Sequence, residues 1–189
     1  MKNIVLFASG SGSNVENIAR YFKSNPDIGI LAVLSNKRDA KVLERCNTLN
    51  ISALYFNKSS FYKKDLVRKI LVALNPDLIV LAGFLWKIPE ELIQDFPGKI
   101  INIHPSLLPK YGGKGMYGNY VHQAVKDNAE TETGITIHYV NQDYDEGAVI
   151  YQAKTMVSPE DTVQSIAKKV QALEYEYFPR IIEKLLSEE

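Results

Sequence analysis

The sequence predicts an α/β fold: a doubly wound, mostly parallel sheet with an antiparallel strand pair near the C-terminal end. Three observations carry this. First, the continuous apolar runs "IVLFA" (Ile4–Ala8), "ILAVL" (Ile30–Leu34) and "LIVLA" (Leu78–Ala82) suit strands covered on both faces. Second, helical stripes alternate with them. Val15, Ile18, Ala19 and Phe22 fall at i, i+3, i+4 and i+7. Third, the texture changes after residue 130. Two β-rich runs, "TGITIHYV" and "GAVIYQAKTMV", flank the acidic segment "NQDYDEG".

Taken in order, strands are predicted over Asn3–Ala8, Gly29–Ser35, Ala53–Phe56, Leu78–Ala82 and Lys99–Ile103. Between them, Val42, Leu43, Cys46 and Leu49 make a second helical stripe. Leu66, Ile70 and Leu74, with Val67 and Leu71, make a wider third, closed by Asn75-Pro76-Asp77. Strand, helix and strand at this spacing form right-handed βαβ units. A last helix is expected from a cap at Ser158, Pro159 and Glu160. Its stripe runs through Val163, Ile166, Ala167, Val170 and Leu173, and it is expected to end near Pro179.

The chain has 189 residues, a length that favours a single domain over 1–189. Its 22 basic and 22 acidic side chains cancel to a net charge of +0, so no global field draws in nucleic acid or an anionic membrane. The N-terminal apolar run is too short for a signal-peptide core or a membrane span. The single cysteine, Cys46, excludes an internal disulfide and a cysteine-based zinc cluster, and lies on an apolar stripe as a packed thiol. The expected setting is the cytosol.

Three segments can carry chemistry. "ASGSGSN" (Ala8–Asn14) joins the first strand to the first helix. Its glycines allow close backbone approach, and the helix start offers free N–H groups to an anion. It reads as a phosphate cradle or as a tight turn with a Ser or Asn cap. No Gly-Lys-Ser/Thr follows, so a nucleoside triphosphate is not the predicted ligand. "INIHP" (Ile101–Pro105) places Asn102 and His104 on one side of a strand end, with Pro105 stiffening the exit. An amide and an imidazolium are both donors, suited to an oxyanion; the plain alternative is a polar pair that ends a strand. "NQDYDEG" (Asn141–Gly147) holds Asp143, Asp145 and Glu146. Taken alone it reads as a solvated acidic turn, and its spacing does not fit a calcium loop. Of the three histidines, only His104 stands in such a constellation.

These motifs together resemble the phosphoribosylglycinamide formyltransferase family of folate-dependent formyltransferases. The likeness runs over almost the whole chain, through "SGSGSN", "LSNK", "PDLIVLAGF", "NIHPSLLPKY", "GITIHYV" and the segment from Asp145 to Gln152. The resemblance implies a Rossmann-like formyltransferase fold. It implies transfer of a formyl group from 10-formyltetrahydrofolate, the cosubstrate, to the amine of glycinamide ribonucleotide in purine (IMP) biosynthesis. No metal, nucleic acid or membrane is called for; oligomeric state is left open.

By motif, Asn102, His104 and Asp145 would be catalytic. Gly12, Ser13 and Asn14 would hold the substrate phosphate, and Glu174 would reach its ribose. Leu85, Trp86, Lys87 and Ile88 would border the pteridine, with Asn102 and the loop from Asn141 to Asp145 on the other side. Two departures stand out. "KYGGKGMYGNYVHQAV" is longer and richer in glycine than the family's commoner form, and Trp86 stands where Arg is frequent. The rivals are formyltransferases acting on a nucleotide sugar or methionyl-tRNA, and a formyltetrahydrofolate hydrolase. A nucleotide-binding module without enzymatic activity is a further alternative.

Overall fold

The computed structural model describes residues 1–188. Its elements, in chain order, are β1 (Lys2–Phe7), α1 (Ser13–Phe22), β2 (Ile28–Ser35), α2 (Lys41–Leu49), β3 (Ala53–Tyr55), α3 (Lys58–Tyr62) and α4 (Leu66–Leu74). There follow β4 (Leu78–Leu81), α5 (Glu90–Asp95), β5 (Ile100–His104), α6 (Asn119–Asp127), β6 (Glu132–Tyr139), β7 (Val149–Met156) and α7 (Val163–Ser187). The strands form one seven-stranded sheet in the order β3-β2-β1-β4-β5-β6-β7. The first five pair in parallel; β6 runs antiparallel to β5 and β7 to β6. The fold class is therefore the one read from the sequence. The antiparallel pair does not stand apart but extends the main sheet through β5.

Alternate strand residues feed two cores. Ile4, Leu6, Val33, Val80, Ile101 and Ile103 face α1, α2 and α7. Val5, Phe7, Leu34, Ile79, Leu81 and Ile100 face the other side, with Phe61, Val67, Leu71 and Leu92. Because both faces are covered, the strands read as unbroken apolar runs. Cys46 is buried in the first core, and burial pushes its thiol pKa up, as befits a packed side chain.

The last helix differs from expectation at both ends. Ser158–Asp161 is a turn in which Ser158 N–H donates to Asp161, and the cap is Thr162, whose side chain accepts from Ser165 N–H at 3.1 Å. The helix also runs through Pro179 to Ser187. Proline has no N–H to offer the carbonyl four residues back. That carbonyl, on Tyr175, instead accepts from Asn17 Nδ2 of α1 at 2.9 Å. Phe178, Ile182 and Leu186 then continue the buried stripe. No helix among the described residues is long and apolar enough to cross a membrane.

The strand order reverses between β1 and β4. Their carboxyl ends open the crevice where ligands of such sheets bind. The two loops there are tied together: Ser9 N–H donates to Gly83 O (3.0 Å) and Leu85 N–H to Ser9 Oγ (2.9 Å).

Candidate active site

A cleft of about 740 Å³ lies over these strand ends. Its floor begins at the turn after β1. Gly12 is the residue before α1, with φ 74, and no side chain caps the helix. The turn with a Ser or Asn cap is thereby excluded, and the N–H groups of the first helical turn remain free for a ligand. Glycine is required twice over here. An L-residue is strained at that φ, and a Cβ would collide with Val42 of α2.

Asn14 is buried and donates from Nδ2 to Glu174 Oε2 of α7 at 2.9 Å. Burial pushes the Glu174 carboxyl up, against the pull of the Asn14 hydrogen bond. The predicted phosphate residues Gly12, Ser13 and Asn14 thus share one wall with Glu174.

The middle of the cleft is built by β5. Its alternation sends Ile101 and Ile103 into one core and turns Asn102 and His104 toward the site. His104 is 4% exposed. Its Nε2 lies 2.7 Å from the Tyr111 carbonyl oxygen, which can only accept, so Nε2 carries a proton. Its Nδ1 lies 3.4 Å from Asp145 Oδ2, within reach of an ion pair when the ring is protonated.

Asn102 is held in a matching way. Its Nδ2 donates to His138 Nε2 at 3.1 Å and makes a longer contact of 3.5 Å to Asp145 Oδ1. His138 Nδ1 donates to the Tyr139 carbonyl, leaving Nε2 as the acceptor for Asn102. Each donor therefore has one proton firmly anchored and a second direction resting loosely on Asp145.

Asp145 has φ 59 and accepts from Gly113 N–H at 2.9 Å. Burial raises its pKa, but the His138 and His104 rings and the Gly113 N–H outweigh burial and hold it below the ordinary carboxylate value. For His104 the balance is reversed. Burial lowers its pKa more than Asp145 and the Tyr111 carbonyl raise it, and His138 lowers it further.

Beside the cleft lies a recess of about 70 Å³ lined by Phe84, Trp86, Lys87, Ile88, Asn141 and Tyr144, with Asn102 and Asp145 at the junction. Leu85 lines the large cleft. Trp86 belongs to an aromatic cluster with Phe56, Phe61, Tyr62 and Phe84, at centroid distances of 5.9–6.4 Å. It both packs and lines the recess. All the site residues named from the sequence thus border one of two adjoining cavities. Among the described residues no group of three His, Cys, Asp or Glu could hold a metal ion.

His138 was missed by the sequence reading, which placed only His104 in a site. The antiparallel register sets His138 directly opposite Asn102, a pairing with no local signature. The Tyr111 carbonyl was missed too, since its direction follows from a backbone at φ 57.

Comparison with known proteins bears on this arrangement. A phosphoribosylglycinamide formyltransferase of Haemophilus influenzae is 37% identical over 188 residues, covering 96% of this chain and 86% of that protein. One of Bacillus subtilis is 35% identical over 98% of this chain and 95% of its own. A chloroplastic relative of Arabidopsis thaliana is 35% identical, and the match spans 66% of its length. The crystal structure of phosphoribosylglycinamide formyltransferase from Anaplasma phagocytophilum superposes with a TM-score of 0.89 at 32% identity, covering 99% of this chain and 88% of the other. The pattern of the formyl transferase family matches residues 2–182, and with these relatives it places the chain as a member of that family.

Proposed function

We propose that this protein, acting as a single cytosolic domain, transfers the formyl group of 10-formyltetrahydrofolate to the amine of glycinamide ribonucleotide in purine (IMP) biosynthesis. One observation carries the reading. Two hydrogen-bond donors, Asn102 and His104, rest their loose directions on one carboxylate where two cavities meet. A carboxylate at that point occupies the electrostatic place of a developing oxyanion. The cavities suit the two substrates. One has a glycine-built anion cradle and Glu174; the other has the aromatic and aliphatic walls that a flat heteroaromatic ring needs.

The chain's residues divide the work. The cradle of Gly12, Ser13 and Asn14 fixes the phosphate, and Glu174 meets the ribose. The amine attacks the formyl carbon directly; no serine or cysteine need act as nucleophile, because the amine is itself one. As the carbonyl oxygen gains charge, Asn102 Nδ2 and His104 Nδ1–H turn to it from Asp145. Asp145 takes the amine's proton through water, and that proton leaves on the departing nitrogen as the old C–N bond breaks. Tyr111 and His138 hold the imidazole and the amide in place throughout. Binding both partners in line supplies the proximity contribution.

The test is to supply 10-formyltetrahydrofolate with glycinamide ribonucleotide, an amino-sugar nucleotide or methionyl-tRNA, and with no acceptor. Loss of formyl from the folate is followed in each case. Rapid transfer to the ribonucleotide alone is expected. Comparable transfer to another acceptor, or fast formate release without one, would overturn the reading.

A further inference from the structure

His122 of α6 has no part in the chemistry above. The residue is 6% exposed and lines the large cleft. Neither ring nitrogen has a hydrogen-bond partner among the described residues, and Nδ1 is shut away from solvent. Buried polar side chains are normally paired, so an unpaired imidazole in a core position works against folding stability. A histidine kept for packing alone would be better served by an apolar ring of the same size.

The position of the ring says what it serves. α6 packs against α7, the helix that brings Gln171 and Glu174 into the same cleft. His122 lines this cleft but not the recess around Trp86. It therefore shares the cavity of His104 and the phosphate cradle, the one assigned to the acceptor. Burial, then the nearby His104, hold its pKa below the ordinary imidazole value. The neutral ring offers one N–H and one lone pair.

We propose that His122 is a binding residue for the acceptor nucleotide, its accessible Nε2 pairing with the amide-and-amine head when that substrate is seated. This rests on the acceptor assignment above. It adds a side chain of α6 to the acceptor site, from the same glycine-rich stretch that departs from the common family form.

The experiment compares His122→Phe, His122→Leu and His122→Gln with the wild type, varying each substrate in turn and recording thermal unfolding. The apolar variants are expected to raise the acceptor KM about tenfold, the scale of one hydrogen bond lost to substrate. The KM for the formyl donor should stay as it is, and the melting temperature should hold or rise. Gln, which keeps an amide near the Nε2 position, should recover most of the affinity. An unchanged acceptor KM in either folded apolar variant would overturn the proposal. So would equal losses on both substrates accompanied by a fall in melting temperature, which marks a packing residue. Normal wild-type turnover in those cases confines the failure to His122; no wild-type transfer to this acceptor would overturn both readings.

Discussion

At the turn after β1, the groups that face the cleft are backbone N–H groups, set by Gly12 at φ 74 ahead of α1. At the end of β5 they are side chains, each oriented by a partner brought from elsewhere: His138 of β6 for Asn102, and the Tyr111 carbonyl for His104. The first region is made by a few consecutive residues and one close helix contact. The second exists only once β5, β6 and two loops are assembled. The first is suited to holding a charge that does not change, a phosphate. The second has protons that can be redirected, as a reaction requires. Binding and chemistry should therefore respond separately to substitution.

The largest effect expected is at the cradle. Gly12→Ala puts a Cβ into the left-handed region, at about 1–2 kcal/mol, and against Val42 as well. The acceptor KM should rise by roughly tenfold or more, with a lowered melting temperature and a much smaller change in the KM for the formyl donor. Initial rates with each substrate varied would show this. An acceptor KM within twofold of wild type would place phosphate binding elsewhere.

A smaller effect, and on the other constant, is expected at the centre. His138→Leu removes the acceptor that steers the Asn102 amide. Losing one such hydrogen bond, about 1 kcal/mol, should lower kcat about five- to tenfold while both KM values hold. Saturating rates measured on the folded variant decide it. If KM moves and kcat does not, His138 shapes the pocket instead of orienting Asn102.

The same contrast governs how much of the molecule was legible in its sequence. The parallel strands were legible because both-face burial writes itself as unbroken apolar runs. The cradle was legible because its residues are consecutive. Asn102 and His104 were legible as a pair because a strand alternates with period two. His138 was not, since it lies 36 residues from the amide it orients and only antiparallel register joins them. Tyr111 acts through its carbonyl, which side-chain reading does not see. Pro179 was read as a stop because proline deprives a carbonyl of its partner; Asn17 of α1 supplies that partner. At Asn102 and at Pro179 the missing group came from a distant part of the chain.

The centre of this account is that the Asp145 carboxylate favours the charged form of His104 against a burial that disfavours it. The most direct test is an NMR titration of the His104 ring in the wild type and in Asp145→Asn. A neighbouring negative charge raises an imidazole pKa, so its removal should leave the His104 value lower still, with the ring neutral over a wider pH range. The alkaline limb of kcat/KM, along which activity falls as His104 loses its proton, should move to lower pH with it. A His104 pKa that is unchanged or higher in Asp145→Asn would contradict the account.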